Sequence, residues 1–156
     1  MKTTIKKISK NKLMNEINIK PYKSVGNFHF GKTQKEIITQ FGEALKVEID
    51  NIMQRITEFR NAQELIYDKK GNDYILNQVI CLKDTTPMIE NRDIFSLGLE
   101  KLKEIDNNFI EGKQYTTFKT LGICLGGFGK KKIPEKRLLI AFCREKLAFY
   151  EDFTSV

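Results

Sequence analysis

The feature that most limits what this 156-residue chain can become is a helix too short to stand alone. Thr33, Gln34, Lys35 and Glu36 read as a capping box: the Thr33 hydroxyl accepts the Glu36 N–H, and the Glu36 carboxylate reaches back to the Thr33 N–H. Ile37, Ile38 and Phe41 then share one apolar face, and Gly42 fits the left-handed position that stops a helix. A helix of about two turns forms only when another element covers its apolar face. The flanking sequence supplies strands for this. Phe28 and Phe30 alternate with Asn27 and His29 before the helix. After it, 56–59, 62–67 and 74–82 read as strands, with a hairpin turn at 68–73. The composition agrees, with 11 Phe, 3 Pro and no Trp, a mix suited to aromatic strands with few breaks.

A second cycle follows. The residues from Arg92 to Phe95 resemble the first strand, and Ser96 is placed to cap a helix whose apolar face is Leu99, Leu102 and Ile105. Asn107 and Asn108 stop it. Strands at 118–125 and 137–142 come next, joined by a glycine- and lysine-rich turn, and the aromatic tail from 147 reads as an edge strand or a last turn. The expected architecture is α+β, an antiparallel sheet with short helices on one face, built from a duplicated strand-helix-strand-strand unit. An offset of 64 residues aligns Ile38 with Leu102 and Phe41 with Ile105. Residues 17–156 are expected to form one domain.

Charge divides the chain sharply. Residues 1–23 hold seven lysines against one acid, a net of +6, and the remainder holds 20 basic against 19 acidic side chains, a net of +1. The basic character belongs to a leader, and residues 1–16 read as a flexible arm. No apolar run approaches the length that spans a bilayer, and the lysine-rich start lacks the apolar stretch of a secretory signal. Cys81, Cys124 and Cys143 are far apart and each sits among apolar residues, as expected of buried thiols in the strands of a cytoplasmic protein.

No catalytic constellation emerges. His29, the one histidine, stands between two phenylalanines with no nucleophile or acid placed beside it, and reads as solvent-facing. Gly122, Gly126, Gly127 and Gly129 lack the spacing and following helix of a phosphate loop. The pairs Glu104/Asp106 and Glu151/Asp152 lie on what read as solvent faces. No metal or cofactor is expected, because close Cys/His pairs are missing. One cluster stands out in the body: Lys130, Lys131, Lys132, Lys136 and Arg137, next to Phe128, on a turn that glycines and Pro134 set apart. These six residues are the expected partner-binding tip.

The run 25–42 (VGNFHFGKTQKEIITQFG) is similar to the opening of several small bacterial α/β proteins. These are the outer-membrane assembly lipoproteins of the SmpA/OmlA family, the β-lactamase-inhibitor-like fold, and small cytosolic proteins that look like immunity partners of secreted toxins. The run 121–128 (LGICLGGF) resembles a strand in the second half of the last group. Lys32 stands where the pattern has Met, Ala44 where it has Pro, and a lipobox cysteine is missing. The resemblance implies a non-enzymatic inhibitor, an immunity protein that neutralises a toxin domain by binding it. The alternative is a nucleic-acid- or membrane-surface accessory protein that uses the basic arm.

Overall fold

A computed structural model describes residues 16–128 and 137–155. The arm expected over 1–16 lies outside the described residues, except for Glu16, which opens the first strand. The first half begins with β1 (Glu16–Lys20), β2 (Ser24–Val25) and β3 (Phe28–His29). Helix α1 (Gln34–Phe41) and four strands follow: β4 (Lys46–Asp50), β5 (Arg55–Arg60), β6 (Gln63–Lys70) and β7 (Asp73–Leu82). The second half repeats the order with β8 (Thr86–Ile89), β9 (Arg92–Asp93), α2 (Ile94–Leu97) and α3 (Leu99–Ile105). It then adds β10 (Phe109–Glu111), β11 (Tyr115–Phe118), β12 (Ile123–Gly126), β13 (Leu138–Phe142) and a closing helix α4 (Leu147–Ser155).

Two sheets result. The larger is wholly antiparallel, in the order β10-β11-β12-β13-β7-β6-β5-β4, so two four-stranded meanders meet where β7 pairs with β13, with Ile80 opposite Ile140. The smaller has the order β3-β2-β1-β8-β9 and contains one parallel pair, β1 with β8, which departs from the all-antiparallel expectation. The strands β1 and β8 run parallel, with Glu16 opposite Thr86, and the central pair β7 and β13 runs antiparallel, with Leu82 opposite Leu138 and Gln78 opposite Phe142.

The core follows the alternation of the strands. Leu139, Ala141, Ile123, Leu125, Val79 and Cys81 point to one face, where Ile37 of α1, Ile94 of α2, Leu102 of α3 and Ile19, Val25 and Ile89 of the small sheet cover them. The opposite face is also apolar in the second half. Cys124, Ile140 and Phe142 are buried there under Tyr150 of α4. The helices therefore occupy both faces of the large sheet, not one, and the aromatic tail is a helix, not an edge strand. A strand that is apolar on both sides needs cover on both.

Several local expectations are sharpened. The capping box forms, with the Glu36 N–H donating to Thr33 Oγ1 at 3.1 Å and the Thr33 N–H to Glu36 Oε1 at 3.2 Å. Backbone bonds from Gly31 N–H to the Leu76 carbonyl (2.9 Å) and from Leu76 N–H to the Lys32 carbonyl (2.8 Å) pin the entry of α1 onto β7. Thr33→Ala is expected to cost about 0.5–2 kcal/mol in urea unfolding; an unchanged midpoint would mean that the cap contributes nothing. In the second half Asp93, not Ser96, caps the helix: its carboxylate accepts the Ser96 N–H at 3.3 Å. Gly98, at φ +80°, then breaks the expected helix into α2 and α3. The strand expected at 118–125 is divided: Phe118 ends β11, 119–122 turn the chain, and 123–125 lie in β12. Gly122 makes that turn at φ +66°, and a Cβ there would lie 3.0 Å from the Tyr22 ring. Cys81 and Cys124 are buried in β7 and β12, whereas Cys143 falls just past β13 and is half-buried; all three are free.

Candidate functional site

Strand β4 is built by the alternation of Val47 and Ile49 with Lys46, Glu48 and Asp50. In its register with β5, Val47 lies opposite Glu58 and Ile49 opposite Ile56. Residues opposite one another in a ladder share a face, and Ile56 and Glu58 are buried. Val47 and Ile49 therefore extend the core face, beyond the reach of the elements that cover it. Helix α1 spans as far as Glu58, which accepts from Gln34 Nε2 at 3.3 Å, and ends at Gly42, whose carbonyl is held by Arg60 at 2.6 Å. Every residue of β4 is exposed. Leu45, just before the strand, is 77% exposed, Val47 40% and Ile49 62%.

The turn after β4 adds to this surface. Asp50 Oδ1 accepts the N–H groups of Ile52 and Met53, each at 3.0 Å. The carboxylate thus fixes a turn that displays two apolar side chains in water, Ile52 at 93% and Met53 at 63% exposure. On the polar face of β4, the Lys46 ammonium lies 3.0 Å from Glu48 and 5.3 Å from the centre of the Phe59 ring. Strand β4 is the last in its sheet, so its outer backbone groups are unpaired.

The other end of the sheet is managed differently. Strand β10 has three residues, α4 packs against it and β11, and a Lys103–Glu111 ion pair of 2.5 Å crosses its rim. Short, covered and charged edges resist pairing. The β4 edge is five residues long and apolar on one side. It can offer backbone donors and acceptors to an incoming strand and apolar contacts beside them, the combination used in recognition by strand addition.

The expected tip is partly accounted for. Phe128 is half-buried, its ring centre 5.8 Å from that of Phe95. The Arg137 guanidinium lies 4.8 Å from the centre of the Phe128 ring and donates to the Phe95 carbonyl at 2.6 Å. These two residues tie the chain just after β12 and just before β13 to α2. Lys130, Lys131, Lys132 and Lys136 lie outside the described residues.

Compared with protein-family models, curated proteins and solved structures, the chain matches none.

Several other polar groups are engaged within the fold. Asp106 is buried, contrary to the solvent face expected of it, and accepts the N–H groups of Asn108, Thr120 and Leu121 at 2.9–3.0 Å. A cleft of about 700 Å³ opens between the β6–β7 hairpin and the segment before α4, with Asp68 in its wall. Burial raises the Asp68 pKa, but hydrogen bonds from Arg55, Lys146 and Asn77 outweigh it and hold the carboxyl at about 2. All three donors approach to 2.8 Å, so the carboxylate is a structural junction. Arg144, at the same cleft, stacks over Tyr22 at 4.1 Å. Burial raises the pKa of the Cys143 thiol, away from nucleophile chemistry. His29 is exposed in β3. Among the described residues, no three His, Cys, Asp or Glu side chains converge as a metal site, and no helix is long and apolar enough to cross a membrane.

The β4 surface was not anticipated from the sequence, where 43–54 was assigned no element. The alternation of Lys46, Val47, Glu48, Ile49 and Asp50 was the signal that could have found it.

Proposed function

We propose that this chain is a non-catalytic protein-binding module of the cytoplasm that receives a partner's strand on β4. On the family resemblance, that partner is a toxin domain the module neutralises. One observation carries the reading: a five-residue sheet edge with Val47 and Ile49 along one face, Leu45 just before it and Ile52 and Met53 just after it, all exposed. An edge of this kind is an aggregation liability, and natural proteins blunt such edges unless they are used. Among the described residues, the buried carboxylates Glu58 and Asp106 and the part-buried Asp68 are tied into the fold, whereas this edge presents exposed apolar side chains beside a strand's outer backbone. An immunity protein of this design would lend β4 to a strand of the toxin and hold its active site covered.

Coexpression with the protein encoded next to this chain, followed by pull-down, tests the reading. Ile49→Lys alters an exposed side chain and is expected to leave stability nearly unchanged while weakening capture about tenfold or more. Capture unaffected by Ile49→Lys would transfer the interface to the 130–137 tip. Failure of folded protein to capture its neighbour would overturn the immunity reading.

A further inference from the structure

We infer that β4 is self-complementary and pairs antiparallel with β4 of a second copy about a two-fold axis at Val47. This deepens the proposed function and rests on β4 being a binding edge. The argument is one of register. Side chains opposite each other in an antiparallel ladder share a face, so the two copies keep their apolar faces on the same side only when odd residues meet odd ones. Five such registers centre on a residue of β4; the one centred on Ile49 sets Glu48 opposite Asp50, and the one centred on Asp50 sets two aspartates opposite each other.

Centred on Glu48, the pairing sets two glutamates opposite each other; centred on Lys46, it does the same with two lysines. Like charges directly opposite are destabilising. Centred on Val47, each pair is favourable. Leu45 of one copy meets Ile49 of the other, Val47 meets Val47, and Lys46 meets Glu48 twice. The pattern Leu-Lys-Val-Glu-Ile matches itself when reversed, both in apolarity and in charge.

The geometry of the single chain leaves this arrangement accessible. Lys46 and Glu48 side chains are 65% and 58% exposed, and their contact within one chain is an exposed pair of little energetic weight. Exchanging it for two pairs between chains costs the fold little. The same register carries the Ile52–Met53 turn of each copy toward Gly42 at the end of α1 in the other, which enlarges the apolar contact. Two eight-stranded sheets become one, and the exposed edge disappears from both. Self-pairing thus protects the edge, and a toxin strand must displace the second copy to reach it.

Charge exchange tests this on the full chain, with sedimentation velocity from micromolar to millimolar concentration as the readout. The unaltered chain is expected to form dimers. Lys46→Glu alone and Glu48→Lys alone each turn two attractive pairs into repulsive ones and are expected to weaken dimerisation about tenfold or more. Mixing the two variants restores attraction at both pairs and is expected to yield a one-to-one heterodimer, and the doubly exchanged chain is expected to dimerise like the original. Dimers of undiminished strength in either single variant, or no association in the mixture, would overturn the register. An unaltered chain that stays monomeric throughout, but loses capture of its neighbour on Ile49→Lys, would overturn self-pairing and leave the binding edge standing.

Discussion

Glu58→Ala is expected to destabilise the fold by about 3–5 kcal/mol, the loss typical when one member of a buried ion pair is removed. Glu58 has no exposed surface. Its carboxylate accepts from Arg60 Nε at 2.9 Å and the Tyr67 hydroxyl at 2.6 Å. Alanine would leave a guanidinium whose side chain is only 10% exposed without its counter-charge, and a buried hydroxyl without an acceptor. Burial first, and then the Glu58 hydrogen bond, hold the Tyr67 pKa far above its usual value, so the hydroxyl stays a donor and cannot replace the lost charge. Glu58→Gln keeps an acceptor in place and is expected to cost clearly less. Urea unfolding of both variants by circular dichroism decides it. A loss below about 1 kcal/mol for Glu58→Ala would show that water or Arg60 alone relaxes into the site. The site matters to function because Glu58 lies opposite Val47, and Arg60 joins the same carboxylate to the end of α1.

What was legible in the sequence was local and periodic. The Thr33–Glu36 box, the stop at Gly42 and the last three strands of the first meander declared themselves because each is fixed by neighbours in the chain. The α+β class followed from a helix too short to form alone. Long-range pairing was not legible. Nothing in the alternation at Glu16–Lys20 says that β1 will lie parallel to Thr86–Ile89. The break at Gly98 was hidden by the apolar spacing of Leu99, Leu102 and Ile105, which reads the same whether or not another short helix precedes it. Asp106 looked like a solvent carboxylate because its three N–H donors come from turns, two of them more than a dozen residues away. The tail stayed open between an edge strand and a last turn because its aromatic residues suit a strand as well as a helix. That it is a helix follows from the second apolar face of β12 and β13, a tertiary demand.

The β4 edge shows a different kind of failure. Its alternation is as clear as that of Phe28 and Phe30, but searching for catalytic groups and charge clusters directs attention to side chains. Its capacity to bind lies largely in unpaired backbone, and whether a strand is central or terminal is decided by topology. The lysine-rich tip was conspicuous for the opposite reason: its signal is all composition.

Gly112→Ala is expected to dislodge α4 and open one face of the core selectively. A Cβ at Gly112 would stand 2.0 Å from the Thr154 carbonyl oxygen and 3.1 Å from that of Tyr115. Both are backbone atoms, so no side-chain rotation relieves the clash. Helix α4 must move, and the contacts that hold it include the Thr117–Thr154 hydroxyl hydrogen bond at 2.6 Å, the Tyr150 ring stacked on Phe142 at 4.5 Å, the Tyr150 hydroxyl donating to Gln78, the Phe153 ring against Tyr115 at 4.9 Å and the Lys119–Glu151 ion pair at 3.7 Å. Overpacking of this kind costs about 1–3 kcal/mol and more where backbone must shift. The thiols report where the loss falls. Cys124 faces α4, and burial raises its pKa to about 11; Cys81 lies on the opposite face under the other helices, raised by burial to about 12. Native-state labelling of the variant should therefore accelerate at Cys124 about tenfold or more while Cys81 continues to react only through global unfolding. Equal acceleration at both would mean that α4 is not a separable layer and that the two faces open together. Unchanged rates at both, with unchanged stability, would mean that the β10–β11 turn yields in place of the helix.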